Sequence, residues 1–525
     1  MRLRASALGL ALGLFALAQP AAAQQFTTDD PVLQRIWTLG MDSSRAEQYM
    51  QVLLDSVGPR LNGSPGHKSG NDWLVRTYGE LGIEARNEQY GTWKGWRRGV
   101  SHIDLVAPRV RSLEGQMLAW SPGTGGKPAE APAMILPDLA DSAAFAAWMP
   151  QVKGKHVLIS FPQPTCRPDT SWTAWGAPGT FERMDSARSA ARTAFNGRLE
   201  RTGYSSRDLP VALEKAGARG IVTSLWSNGW GVNKIFQART ARIPTVDLSC
   251  EDYGLVWRLA ENEQGPRLRI TADAEFLGEV PVFNTIATLP GSEKPDEYIV
   301  LSAHFDSWDG SSGATDNGTG TITMLEALRI LKEVYPQPKR TIVVGHWGGE
   351  EQGLNGSRAF AADHPEIVEG LQVLLNQDNG TGRVSNISMQ GFTGAGADFA
   401  NWLSVVPAEI TRHVELQLPG FPGGGGSDYA AFVCYGAPSF SLSSNSWEYG
   451  TYTWHTNRDT YDKISFDEVR NNATLTAMLT YLAANQDERV SREQRTAMGT
   501  NPRTGEARSW PECGTPARSS GESTR

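Results

Sequence analysis

Between residues 283 and 378 the chain alternates short apolar runs with stretches of helical period. Residues 298–304 (YIVLSAH), 340–345 and 371–378 carry near-continuous Val, Ile and Leu, and 283–289 is a further run of this kind. Runs so short and so apolar predict strands buried on both faces. Between them, 317–334 and 355–362 place apolar residues every three or four positions, and 466–484 does the same near the end of the chain. Each predicts a helix with one buried stripe. Strand and helix in this alternation imply an α/β fold, a sandwich around a mostly parallel sheet. Upstream, Asp30-Pro31 opens a helix as cap and first-turn proline, and 45–57 and 68–81 predict two more helices. The third stops at Gly82, where glycine accepts the left-handed cap. Residues 61–66 form a loop, and 83–90 a strand.

A breaker cluster, Ser121-Pro122-Gly123-Thr124-Gly125-Gly126, marks a boundary. Beyond it lies a second α/β pattern. Strands are predicted over 155–161, 220–224 and 243–248, with helices over 210–216 and 253–261. Residues 165–208 carry little apolar periodicity and read as a helical excursion or a loop. The pattern ends near 278. From 491 the chain is rich in Arg, Ser, Gly, Thr and Pro and reads as a disordered tail. The predicted organisation is therefore 1–23, 24–120, 121–278, 279–490 and 491–525.

The first of these segments has the form of a secretory signal. Arg2 and Arg4 precede an apolar stretch over 8–18 that is too short to span a bilayer, and Ala21-Ala22-Ala23 supplies small residues for cleavage. This predicts an exported protein, periplasmic or secreted, beginning near Gln24, with no membrane partner. A formal net charge of −8 across 525 residues argues against a nucleic-acid partner. Cys166, Cys250, Cys434 and Cys513 show no CxxC spacing, which disfavours a thiolate zinc site. Cys166 and Cys250 fall in the same unit; a disulfide and two free buried thiols both remain open.

The candidate chemistry lies in the second half. His304, Asp316, Glu351, Asp378 and His455 are metal-type ligands, and most stand at or near the ends of predicted strands. Ligands of open α/β sheets collect at the carboxyl ends of strands. Two imidazoles and three carboxylates suit a pair of zinc-like cations with one carboxylate shared. Asp306, two residues beyond His304, would orient that imidazole or rigidify its loop. Asp316 would also serve as a helix cap. Glu350 adjoins a ligand without being needed as one. Successive residues of an extended chain point apart, so it can face a water as general base. The glycines at 423–426 suit a pocket wall, as do Trp308, Trp347, Trp447 and Trp454, although core packing explains each Trp singly.

The order H-x-D, D-N-G-x-G, E-E, D and a late H-T-x-x-D resembles the M28 family of co-catalytic zinc exopeptidases. Within it, HFDSWDGSSGATDNGTG, GGEEQGLNGSRAF, VGPRLNGSPG and KGWRRG are similar to the carboxypeptidase Q (plasma glutamate carboxypeptidase) branch. The resemblance covers roughly residues 45–485. It implies a three-layer αβα sandwich, two Zn2+ ions, a peptide substrate and a homodimer. It implies further that Asp316 bridges the metals, that His304 and Asp378 complete one site and Glu351 and His455 the other, and that Glu350 is the base. The segments EKAGARGIV and IPTVDLS are similar to a protease-associated (PA) domain inserted into that fold. Asn317 departs from the pattern, where the resemblance implies Asp. Two other readings remain open: a single-zinc glutaminyl cyclase, and a catalytically dead binding protein of the transferrin-receptor kind.

Overall fold

Four parallel strands make the centre of the sheet: Ser439–Ser444, Leu371–Asn376, Lys294–His304 and Arg340–Trp347, adjacent in that order. The computed structural model describes residues 29–501 and 503–522, so the predicted signal segment lies outside the described residues. The apolar runs are continuous because these strands are covered on both faces. Ile299, Leu301 and Ala303 enter one core with Val373, Leu375, Ile342 and Val344. Val300, Val343, Leu371 and Leu374 enter the opposite core. The first core is roofed by helices Thr319–Val334 and Phe466–Asn485 and by the N-terminal helices, the second by helices Asn355–Asp363 and Pro365–Glu369. Burying each such Val, Leu or Ile contributes about 1.5–3 kcal/mol. The result is an α/β sandwich with a mixed, mostly parallel sheet.

Antiparallel strands flank this centre. Arg267–Leu289 pairs with Arg340–Trp347 at one end and with Glu84–Ala107 along almost its whole length. The sequence predicted only 83–90 and 283–289 of this ribbon. The remainder is polar, interrupted by glycines and half exposed, so it shows no continuous apolar run. The ribbon leads into a second lobe. There Ala129–Ile135, His156–Leu158, Gly220–Thr223 and Thr245–Leu248 run parallel, and Gly115–Met117 pairs antiparallel at the far edge. The 165–208 segment is helical over Asp169–Trp175 and Thr180–Arg201. The longer helix buries only Arg188 and Phe195, which is why it carried no legible period.

The expected disordered tail is corrected over 503–522. Cys513 is bonded to Cys434, Trp510 donates to the Val433 carbonyl at 2.8 Å, and the Thr92 amide donates to the Arg518 carbonyl at 2.8 Å. A covalent bond and backbone hydrogen bonds hold this strap, and neither leaves a hydrophobic pattern in the sequence. Cys166 and Cys250 are disulfide-bonded, which settles that alternative. Among the described residues no helix is long and apolar enough to cross a membrane.

Candidate active site

His304 ends its strand, Glu350 and Glu351 follow Arg340–Trp347 after a glycine pair, and Asp378 follows Leu371–Asn376. Three neighbouring parallel strands thus deliver their acids and imidazole to one edge of the sheet. Gly349 is required between strand and acids. It has φ +68°, and a Cβ there would lie 2.5 Å from the Tyr90 hydroxyl. Asp316 arrives on the turn before helix Thr319–Val334, and His455 on the loop before the C-terminal helix.

The five predicted ligands meet as two clusters that share Asp316. His304 Nε2 lies 3.3 Å from Asp316 Oδ1 and 3.3 Å from Asp378 Oδ1. His455 Nε2 lies 3.3 Å from Asp316 Oδ2 and 2.9 Å from Glu351 Oε2. Each oxygen of Asp316 therefore faces a different imidazole. Asp316 Oδ2 and Glu351 Oε1 are buried and accept no hydrogen bond among the described residues. Buried carboxylate oxygens without donors are costly, and cations are the partners this donor set fits.

The surroundings fix these groups. His304 Nδ1 donates to the Asp306 carbonyl at 2.9 Å, which leaves Nε2 to the acids. The Asp306 carboxylate, 3.7 Å from that Nδ1, also accepts from the amides of Glu350 at 3.0 Å and Glu351 at 3.3 Å. Of the two roles expected for Asp306, its backbone takes the first, and its side chain ties the first metal-type loop to the acid pair. Asp316 does not cap its helix. Asn317 does, accepting from the Gly320 amide at 3.1 Å while donating to the Gln377 carbonyl at 2.9 Å. The departure at 317 thus serves the loops and not the ligand set.

Two anchors were not read from the sequence. Asp459, in the H-T-x-x-D string, accepts from the Thr315 amide and hydroxyl, both at 2.8 Å, and from the Asp316 amide at 3.0 Å. Buried Arg60 donates to the carbonyls of Phe305, Ser312 and Gly313 at 2.7, 2.8 and 2.9 Å. VGPRLNG carried the signal for Arg60, but nothing in that string says which backbone it will hold. Burial pushes Asp459 up to about 7 and pulls Arg60 down to about 10.

Charge is concentrated here. Burial, with crowding by neighbouring acids, holds Glu350 and Glu351 well above the usual carboxylate range. Burial opposes charge on His304, yet Asp378, Glu350 and its hydrogen-bonded acids hold it well above an ordinary imidazole. Burial also works against Asp316, but the two imidazoles keep it low. A cavity of about 470 Å3 opens onto the clusters and is walled also by Glu350, Arg358, Gly425, Gly426, Tyr449 and Trp454. Gly425 and Gly426 of the glycine run and Trp454 are therefore wall. Trp308 stands behind His455 at 6.1 Å, Trp347 is core against Phe360 and Phe432, and Trp447 is exposed in a neighbouring cleft.

An α/β sandwich with a two-cation ligand set at the strand ends, open to a cavity holding a spare carboxylate, defines a metal-dependent hydrolase. Residues 284–480 match the model of peptidase family M28. The two metal-ligand clusters that share Asp316 fall within those matched residues and make a co-catalytic di-metal exopeptidase site. It is 24% identical to carboxypeptidase Q of Bos taurus over 454 residues, 86% of this chain and 88% of that protein. Over 222 residues it is 30% identical to leucine aminopeptidase 1 of Coccidioides posadasii, covering 38% of this chain and 55% of that protein. The fold is similar to that of a peptidase M28 precursor from Shewanella amazonensis SB2B, with TM-score 0.64 at 23% identity over 88% of this chain and 98% of that one. It is similar also to a zinc aminopeptidase from Bacillus subtilis, with TM-score 0.55 at 19% identity over 86% and 97%.

Proposed function

We propose that the chain is an exported di-zinc exopeptidase that hydrolyses dipeptides or short peptides, with Glu350 as general base. The observation that carries this is the meeting of the other four ligands around Asp316, beside a cavity that Glu350 also lines. Two zinc ions held by His304 and Asp378, by Glu351 and His455, and by Asp316 between them would polarise the scissile carbonyl and acidify the attacking water. Glu350 takes the proton of that water and returns it to the leaving amine. Asp306 holds the Glu350 backbone during both transfers. A single-zinc cyclase would need only one cluster, and a dead binding protein would have lost ligands; here both clusters are complete.

The cavity suggests which end of the peptide is read. Among the described residues Arg358 is the only Lys or Arg lining it. Its Nη1 donates to the Gly353 carbonyl at 3.0 Å, and among the described residues it has no acidic partner. A guanidinium without an acidic partner, in a cavity lined with acids, suits the free carboxylate of a substrate. Similarity to carboxypeptidase Q supports this reading. Arg358→Leu is expected to raise KM for free dipeptides about 10- to 100-fold, the value of a charge-assisted hydrogen bond, and to leave amidated substrates unchanged. An equal loss on both substrate types would remove Arg358 from recognition.

The second lobe fits a PA-like insert over 121–278, supported by its parallel strands and by an apolar core of its own. Export is supported by the signal-like N-terminus and by two disulfides, which persist in oxidising compartments. The homodimer implied by the resemblance is read by sedimentation. The central test is a panel of X-Ala and Ala-X dipeptides with free, amidated and acetylated ends, before and after chelation. Hydrolysis that vanishes on chelation and returns with zinc is expected; full-rate hydrolysis by metal-depleted protein would refute the proposal.

A further inference from the structure

The two imidazoles of the site are held differently. His304 Nδ1 has the Asp306 carbonyl as its partner. His455 Nδ1 is buried and has no hydrogen-bond partner among the described residues. A metal-binding imidazole ordinarily has its second nitrogen fixed by an acceptor. His455 also has φ +52°, a left-handed conformation that few residues other than glycine adopt. Something else must hold both its ring and its backbone.

The second lobe does so. The Ile235 amide donates to the His455 carbonyl at 2.7 Å, and Lys234 bridges antiparallel to Thr456. The Asn457 amide donates to the Asn233 carbonyl at 3.0 Å, and the Asn233 amide donates to Asn457 Oδ1 at 2.9 Å. Lys234 Nζ donates to the carbonyls of Gly450 and Trp454 and lies 4.4 Å from the centre of the Trp454 ring. Trp454 in turn stacks on the His455 imidazole, centroids 4.0 Å apart and planes 24° apart. Phe236 meets the same imidazole edge-on at 5.4 Å. Cation, indole and imidazole form a stack that begins on one lobe and ends at a metal-type ligand of the other.

We propose that Lys234 is a positioning residue for His455, acting through Trp454, so that the second lobe sets the zinc affinity of the Asp316–Glu351–His455 site. This rests on the two-metal reading above. The sign of the effect separates it from simple electrostatics. A nearby cation repels zinc, so removing the Lys234 charge would by Coulomb's law alone tighten the site. Positioning predicts the opposite.

The experiment titrates the full-length metal-free protein with zinc and reads stoichiometry and the two dissociation constants, with thermal melts of each metal-free protein alongside. Wild type should bind two zinc ions; if it does not, the two-metal reading fails whatever Lys234 does. Lys234→Met should weaken one site about 10- to 100-fold and leave the other unchanged. Lys234→Arg, which keeps a cation and donors over the indole, should restore it. Trp454→Leu reports the same link from its other end if Lys234→Met does not fold. The inference is overturned by unchanged or tighter zinc binding, or by equal weakening of both sites with a lowered melting temperature.

Discussion

Glu350→Gln is expected to keep two zinc ions per chain and to lower kcat by about 10²–10⁴-fold, the range of a positioned acid–base group. Glu350 belongs to neither ligand cluster, yet it walls the same cavity. Its amide is anchored to Asp306 Oδ1, a bond that the substitution leaves in place. Gln has nearly the same shape but no basic oxygen, so proton transfer is lost and packing is not. The direction of its pKa fits the role. Burial, then crowding by Asp378, Asp428 and Glu351 against the pull of His304, pushes the carboxyl up. A carboxyl raised in this way holds a captured proton long enough to pass it to a leaving amine. Metal content and dipeptide kinetics measured on the same preparation check this. A variant that turns over near the wild-type rate would move the base elsewhere; one that has lost zinc would make Glu350 a ligand.

What could be read beforehand followed the physics of burial. Residues 298–304 and 371–376 are mostly apolar because both faces of those strands are covered, and such runs announce themselves. Their ends then place His304 and Asp378, and the glycine-flanked acid pair places Glu350 and Glu351. Features held by backbone bonds left no such trace. The Arg60 guanidinium closes the loop at 305–313 through carbonyls, which every residue possesses. The strap at 510–518 is held by a disulfide and main-chain pairing. Lys234 lies in an unremarkable stretch, and only the folded chain brings it over Trp454. Asp306 shows the limit most sharply: H-x-D points to the residue, but only the folded chain shows that its carbonyl takes the His304 hydrogen bond while its carboxylate reaches the Glu350 and Glu351 amides.

Asp316→Asn is expected to be more damaging than loss of any other single ligand. His304 and Asp378 serve one cluster, and Glu351 and His455 the other, whereas Asp316 serves both. Its Oδ1 faces His304 and its Oδ2 faces His455, each at 3.3 Å. Asn keeps one acceptor, replaces the other with a donor and removes the shared negative charge, so both sites lose their common wall. The loop itself should persist, because Asp459 grips the Thr315 and Asp316 amides and not the Asp316 side chain. The expected result is fewer than two zinc ions per chain and a fall in kcat/KM of more than about 10⁴-fold, beyond the range for one acid–base group. Thermal unfolding gives an independent readout. Zinc at about a thousand times its dissociation constant stabilises a folded chain by roughly 4 kcal/mol per site. Wild type should therefore melt well above its metal-free form, and Asp316→Asn should lose most of that rise while its metal-free melting temperature stays near that of metal-free wild type. A variant that bound two zinc ions and kept the full zinc-dependent rise would show that the clusters do not depend on a shared carboxylate.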